Sequence, residues 1–380
     1  MEMRLVLAGS AVVSSLGLCG VTPALAAPAP VNVSVKCGDV AGLITAVTQA
    51  NTNPARGTIR LAEECAYRFE DDFENSGNAL PAITGKVTII GDYSTLIRSS
   101  YHGANRFRIL AVNEGGELTL KGVTVTGGDT PGDGGGIANK GKLWLEYGAV
   151  AGNRADVDGG GISNDGGTVT LVESHILTNV ARDGGGLSND ATGTLTLKKT
   201  KVKGNTADED GGGIQNQGTL VVEKSEIEYN EARDGDGGAV NNLGNATIKD
   251  SEIKNNWAGI EGGGVNNGEN GTLNVYDTAF ESNRAGRDGG GINNEGTATL
   301  KDSEIEENQA GRDGGGINNE QDPAADQTQL TLEYTTVSEN HAAGIGGGIN
   351  NWIGAKVTLK RSKVIRNTPT NCAGDVPDCW

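Results

Sequence analysis

Apolar and polar positions recur along this chain at nearly constant spacing. A glycine triplet or close variant, then one aliphatic residue and, two places on, an asparagine, occurs nine times; the aliphatic residue is Ile137, Ile162, Leu187, Ile214, Val240, Val265, Ile292, Ile317 or Ile349. The intervals are 25, 25, 27, 26, 25, 27, 25 and 32 residues, and the long last one holds an insertion around 321–326. Each unit has two more segments. One alternates apolar and polar residues, as in Leu195-Thr196-Leu197 and Val357-Thr358-Leu359. The other is an apolar residue followed three places later by asparagine, as in Ile176…Asn179 and Phe280…Asn283. Alternation over a few residues marks a half-buried strand. Three such strands cannot bury their inner faces alone, but coiling the chain and stacking coil on coil buries all of them. The pattern therefore predicts an all-β chain: a single right-handed parallel β-helix with three strands per coil and ten or so coils.

Two asparagine columns follow from the same alignment. The first runs Asn153, Asn179, Asn205, Asn230, Asn256, Asn283, Asn308, Asn340, Asn367; the second runs Asn139, Asn164, Asn189, Asn216, Asn242, Asn267, Asn294, Asn319, Asn351. Stacked amides can bond to one another as ladders. Asparagine also tolerates the left-handed conformation that a sharp corner needs, and the glycines supply unusual backbone angles. Val40, Leu43, Ile44 and Val47 stand at helical spacing. A short amphipathic helix over 39–51 is expected to cover the first coil. The boundaries read as an N-terminal cap over 27–80, β-helix repeats over 81–368 and a C-terminal cap over 369–380.

Composition fits this picture. Glycine is 61 of 380 residues and aromatics only 4%, so the core must come from stacked aliphatic side chains. The formal charge of −18, from 31 basic and 49 acidic residues, opposes nucleic acid and anionic lipid. It also opposes acidic polysaccharides unless a divalent cation bridges the two. Residues 1–26 read as a secretory signal: Arg4, an apolar stretch over 5–18, then Ala24-Leu25-Ala26 as a cleavage pattern. Removing it leaves Cys37, Cys65, Cys372 and Cys379, an even number as expected of two disulfides in an exported chain. Three pairings are open. Cys37–Cys65 with Cys372–Cys379 is favoured, because each pair sits at one end of the repeats.

The glycine-triplet and asparagine tetrapeptide repeat resembles that of polymorphic outer-membrane proteins; Phe280-Glu281-Ser282-Asn283 matches the FxxN form outright, while other units carry Ile or Val for Phe. The segments Cys37-Gly38-Asp39-Val40, Ala50-Asn51 and Gly57-Thr58-Ile59 are similar to the leader of exported bacterial right-handed β-helix proteins, and the ending from Asn371 to Cys379 is similar to their caps. The resemblance implies a pectate-lyase-like superhelix. The C-terminal β-barrel of the outer-membrane members is absent from this chain, so no membrane insertion is expected. A fold of this kind implies no particular activity.

Candidate chemistry is sparse. Asp71-Asp72 is the only Asp-Asp pair, no Gly-His-Gly occurs, and the three histidines are His102, His175 and His341. No nucleotide-binding or metalloprotease motif appears. One acidic column stands out before the glycine triplets: Asp133, Asp158, Asp183, Asp210, Asp236, Glu261, Asp288 and Asp313, ending at Ile345. Carboxylates stacked about 5 Å apart repel by roughly 1 kcal/mol per pair in water. Two readings offset that repulsion: a solvated corner buffered by Arg182, Arg287 and Arg312, or calcium held by Asp158, Asp183, Asp210, Asp236, Asp288 and Asp313. After the first asparagine column, Trp257, Arg284, Gln309 and His341 form a polar-aromatic strip that could bind sugar; Trp144 and Trp352 are further exposed-aromatic candidates. Thr168-x-Thr170, Thr194-x-Thr196 and Thr297-x-Thr299 form a broken threonine array of the kind ice-binding β-helices carry.

These features predict a secreted, non-catalytic, monomeric scaffold that binds an extracellular polysaccharide or a cell-surface protein. The alternative is a polysaccharide lyase or glycosidase; ice binding is a remote third. A uniform repeat favours the scaffold, because a catalytic site breaks the pattern locally.

Overall fold

The computed structural model describes residues 29–99, 105–320 and 328–379. The signal segment 1–26 and the insertion 321–326 lie outside the described residues. The chain is a right-handed parallel β-helix of about 13 turns with three sheets, against the ten or so coils expected from the repeat. The additional turns come from the irregular region before the repeats, where the strands Gly57–Arg60, Lys86–Arg98 and Glu117–Thr126 stack in parallel without the glycine-triplet signature. At about 4.8 Å per step, the rod is roughly 60 Å long.

One coil shows the plan. Thr168–Val172 and His175–Leu177 lie in the first sheet, Val180–Ala181 in the second, and Leu187–Asn189 in the third. Each strand pairs in register with its counterpart one coil on, so like residues stack on like. Inside, columns such as Ile176, Val202, Ile227, Ile253, Phe280 and Ile305, aliphatic but for the one phenylalanine, are wholly excluded from water. The scarcity of aromatics is thus met by stacked aliphatics, as expected.

Both asparagine ladders form. In the first, each side-chain Nδ2 donates to the Oδ1 of the next coil, as from Asn179 to Asn205 at 3.0 Å, and to a carbonyl of the preceding coil, Val150 O at 3.0 Å. The same Oδ1 accepts the backbone N–H of Asn179 at 3.0 Å. The expectation that these asparagines supply left-handed corners is corrected. The left-handed residue is the one before each, including Thr178 (φ 51°), Tyr229 (φ 54°) and Glu307 (φ 56°). The asparagines keep ordinary backbone geometry and serve as hydrogen-bonding groups. Among the glycines, the first of each triplet does take the left-handed conformation, as at Gly159 (φ 65°). A Cβ at the second, Gly160, would collide with the Gly185 carbonyl of the next coil.

The ends are closed. The helix Val40–Thr52, N-capped by Asp39, turns Leu43, Ala46, Val47 and Ala50 onto the first coil. Cys37 is bonded to Cys65 and Cys372 to Cys379, the favoured pairing. The C-terminal segment also completes both ladders: Asn371 Oδ1 accepts the backbone N–H of Asn367 at 3.1 Å, and Asp375 O accepts Asn351 Nδ2 at 2.7 Å. At the other end, the second ladder starts above Val112, and the Oδ1 of Asn139 is left buried without a partner.

Candidate functional site

The acidic column runs down the edge of the third sheet, and its repulsion is offset in a way neither sequence reading anticipated. One carboxylate oxygen accepts the backbone N–H of the matching residue on the next coil: Asp133 from Asp158, Asp183 from Asp210, Asp210 from Asp236, Asp236 from Glu261, Asp288 from Asp313, and Asp313 from Ile345, at 2.8–3.2 Å. The column ends at Ile345 because a main-chain donor is all the last carboxylate requires. Nor is the corner simply solvated. Asp288 is completely buried and Glu261 is 9% exposed.

Arginine supports part of it. Arg312 grips Asp288 through both Nε, at 2.8 Å, and Nη2, while Arg287 lies 3.5 Å from Glu261 and Arg182 3.1 Å from Asp183. The positions preceding Asp210, Asp236 and Glu261 hold Glu209, Gly235 and Ile260 instead. Burial pushes carboxyls up along this stretch, and neighbouring carboxylates add to it. The Asp236 carboxyl rises to about 6 beside Asp210, and that of Glu261 to about 8 among Asp236, Glu320 and Asp288. Glu295 rises to about 7 through burial and the charges of Asp236 and Glu320, and Glu320 moves up for the same kind of reason.

Beneath these acids lies a third asparagine column, on the outward face of the third sheet. Asn241, Asn266, Asn293, Asn318 and Asn350 are all buried, and each Nδ2 from Asn266 on donates to the preceding Oδ1 at 2.8–3.0 Å. Asn293 Nδ2 also reaches Glu261 at 2.9 Å and Glu295 at 3.0 Å, and Asn318 reaches Glu320 at 3.2 Å. Trp352 closes one end, donating from Nε1 to Asn318 Oδ1 at 3.2 Å. Sequence reading missed this column and Glu295 and Glu320 with it. The signal was present: from Val240 onward the triplet is followed by an Asn-Asn doublet, and Glu295 and Glu320 each follow one.

Of the six aspartates expected to hold calcium, all lie along this edge in coil order, and Asp288 alone belongs to the tightest carboxylate set. Among the described residues, Glu261, Asp288 and Glu320 bring one oxygen each within 4.8 Å of one another. Such oxygens suit a hard cation, but both Asp288 oxygens already accept from Arg312 and one also from Asp313. A carboxyl held protonated near neutrality, as at Glu261, suits proton donation.

The strip Trp257, Arg284, Gln309 and His341 is assembled as expected, on consecutive strands of the second sheet. Arg284, Gln309 and His341 face solvent and Trp257 is half-buried. His341 Nδ1 lies 2.9 Å from Thr368 Oγ1.

Two depressions among the described residues lie elsewhere, on the first sheet. One outward column there reads Thr88, Thr119, Trp144, Thr170, Thr196, Val221. Trp144 is a single large aromatic set among threonines, and it is 44% exposed. A depression of about 300 Å³ lies against it, lined by Arg56, Glu117, Thr119, Lys142, Thr168 and Thr170; a second of about 390 Å³ is lined by Arg56, Thr88, Thr119, Lys121 and Glu146. Thr168, Thr170, Thr194 and Thr196 do form a regular patch beside it, which ends at Val221. Sequence reading could name Trp144, Thr168 and Thr170 but not Arg56 and Thr88 beside them, because those two come from coils without the repeat.

No family model matches the chain, and no curated protein does. Among solved structures it is similar to the crystal structure of pectate lyase Pel9A, at 13% identity over 92% of this chain and 83% of that one, with a TM-score of 0.47. No residue role is transferred from that likeness.

Proposed function

We propose that this protein is an exported, non-catalytic β-helix rod that binds an extracellular glycan on the outward face of its first sheet. One observation carries the reading: Trp144 stands where its neighbours one and two coils away on either side carry threonine, and it borders shallow depressions on a rigid sheet. An exposed indole offers an apolar face for the C–H side of a sugar ring. The threonines and charged groups around it offer hydroxyl partners, and a sheet fixed by in-register stacking holds the backbone and the short threonine side chains in place before binding. Two terminal disulfides and the amide ladders suit a scaffold outside the cell. The strip Trp257, Arg284, Gln309 and His341 on the second sheet is a second surface that combines an aromatic with polar side chains.

The test is a glycan array probed with the mature chain and with Trp144→Ala. Retention on glycans that falls roughly tenfold or more in the variant, with the melting temperature kept, supports the reading. Retention unchanged in the variant would overturn it. The enzymatic alternative has its own support in the raised carboxyls of Glu261 and Glu295. If it holds, bound glycans will release new reducing or unsaturated ends, and Glu261→Gln will stop the release. The scaffold reading expects none.

A further inference from the structure

We propose that the Trp144 face takes a negatively charged glycan, with a pyranose ring on the indole and a carboxylate or sulfate ester of the sugar between Arg56 and Lys142. This deepens the glycan reading above and rests on it. Net charge argues the other way, since the chain carries −18 overall. Exposed charges are screened beyond about 8 Å at physiological ionic strength, however, so what a bound sugar feels is set by its immediate neighbours.

Those neighbours are cationic. The strand register puts Lys86, Glu117 and Lys142 in one outward column, two residues along from Thr88, Thr119 and Trp144. Arg56 reaches in from the preceding coil, with Nη2 3.1 Å from Glu117 and Nη1 3.4 Å from Thr88 Oγ1. Lys86 and Lys142 approach the other Glu117 oxygen at 3.5 and 3.6 Å. Three cations thus share one carboxylate, and three minus one leaves two positive charges. Lys121 adds nothing to the balance, being matched by Glu146 at 2.7 Å.

Glu117 itself registers the excess. Burial acts to raise its carboxyl, yet Lys86, Lys142 and Arg56 outweigh that and hold it below the ordinary value. Lys86 and Lys142 sit more than 3.4 Å from the carboxylate and are more than half exposed. Neither is committed to a tight ion pair, so either can turn to an arriving anion. The arrangement is local: the same column continues as Thr168, Thr194 and Thr219, with no charge.

The experiment titrates the full mature chain with heparin, alginate and neutral dextran by calorimetry at low and at high salt. Binding of heparin or alginate but not dextran is expected, weakening as salt rises. The pair Arg56→Gln with Lys142→Gln should weaken it by about tenfold or more while the melting temperature holds. Binding of alginate alone assigns the carboxylate, and of heparin alone the sulfate; both together support the shared chemistry. Dextran binding that depends on Trp144 and ignores the Arg56–Lys142 pair would overturn the anionic inference and leave the glycan reading standing. Charged-glycan binding unaffected by that pair would overturn it too. No binding of any glycan, here or on the array, would remove both.

Discussion

On the Trp144 face, acids and bases meet in water. Lys121 pairs with Glu146 and three cations share Glu117, all through side chains that keep substantial exposure. On the Glu261 face of the same rod, acids lie against buried asparagine amides and main-chain N–H groups, and Asp288 is sealed from solvent altogether. Both faces are outward surfaces of stacked parallel strands. The difference is depth. Around Trp144 the charged side chains stay partly exposed, whereas on the third sheet the outward asparagines from Asn241 onward are buried beneath the acids. Exposed charges remain adjustable and suit recognition. Buried charges must find fixed partners or hold their protons.

The largest expected contrast is between two arginines. Arg312→Ala strips the buried Asp288 of its counter-ion and should cost about 3–5 kcal/mol. Arg182→Ala, between more exposed partners, should cost less than about 1 kcal/mol. Urea unfolding of the two variants checks this, and equal costs would mean the burial of Asp288 has no energetic weight.

Next comes pH. Glu261 and Glu295 have folded-state values raised to about 8 and about 7, so the folded chain holds protons that the unfolded chain releases near the ordinary carboxyl value. Their contribution to stability is complete below that ordinary value and is lost as pH rises through 7 and 8. Stability should therefore fall between about pH 5 and pH 9, by at most about 8 kcal/mol for the two groups together and by less to the extent that solvent screens their exposed parts. Glu261→Gln, which keeps the shape and removes the charge, should flatten the fall. A melting temperature that climbs over this range would contradict the burial of these groups. Glu117→Gln, which leaves both of those groups in place, should leave the fall intact.

The smallest contrast separates two exposed tryptophans. Trp352 donates to Asn318 and lies over the Arg312 guanidinium at 6.0 Å, so Trp352→Ala should cost about 1–2 kcal/mol. Trp144→Ala should cost no more than about 0.5 kcal/mol while removing the glycan platform. A large stability loss at Trp144 would make it a structural residue instead.

The sequence by itself determined the β-helix and its two inner asparagine ladders, because each residue of a regular coil meets its own counterpart one period later. Spacing is then equivalent to contact, and Asn179 must lie on Asn205 once the period is known. The acidic column and the Trp257 strip were legible for the same reason. The helical cap was legible from its own spacing of about 3.6 residues, whereas the disulfide pairing was favoured by position and decided by the structure. What only the tertiary structure decided is whatever joins different columns or coils outside the period. Asn293 meets Glu261 and Glu295 through depth and side-chain reach, neither of which a period encodes. Arg56 and Lys86 gather on Glu117 with Lys142 from coils that precede the repeat. The structure also decided which residue turns left-handed at the corner before each first-ladder asparagine, since Thr178, Tyr229 and Glu307 share no side-chain chemistry.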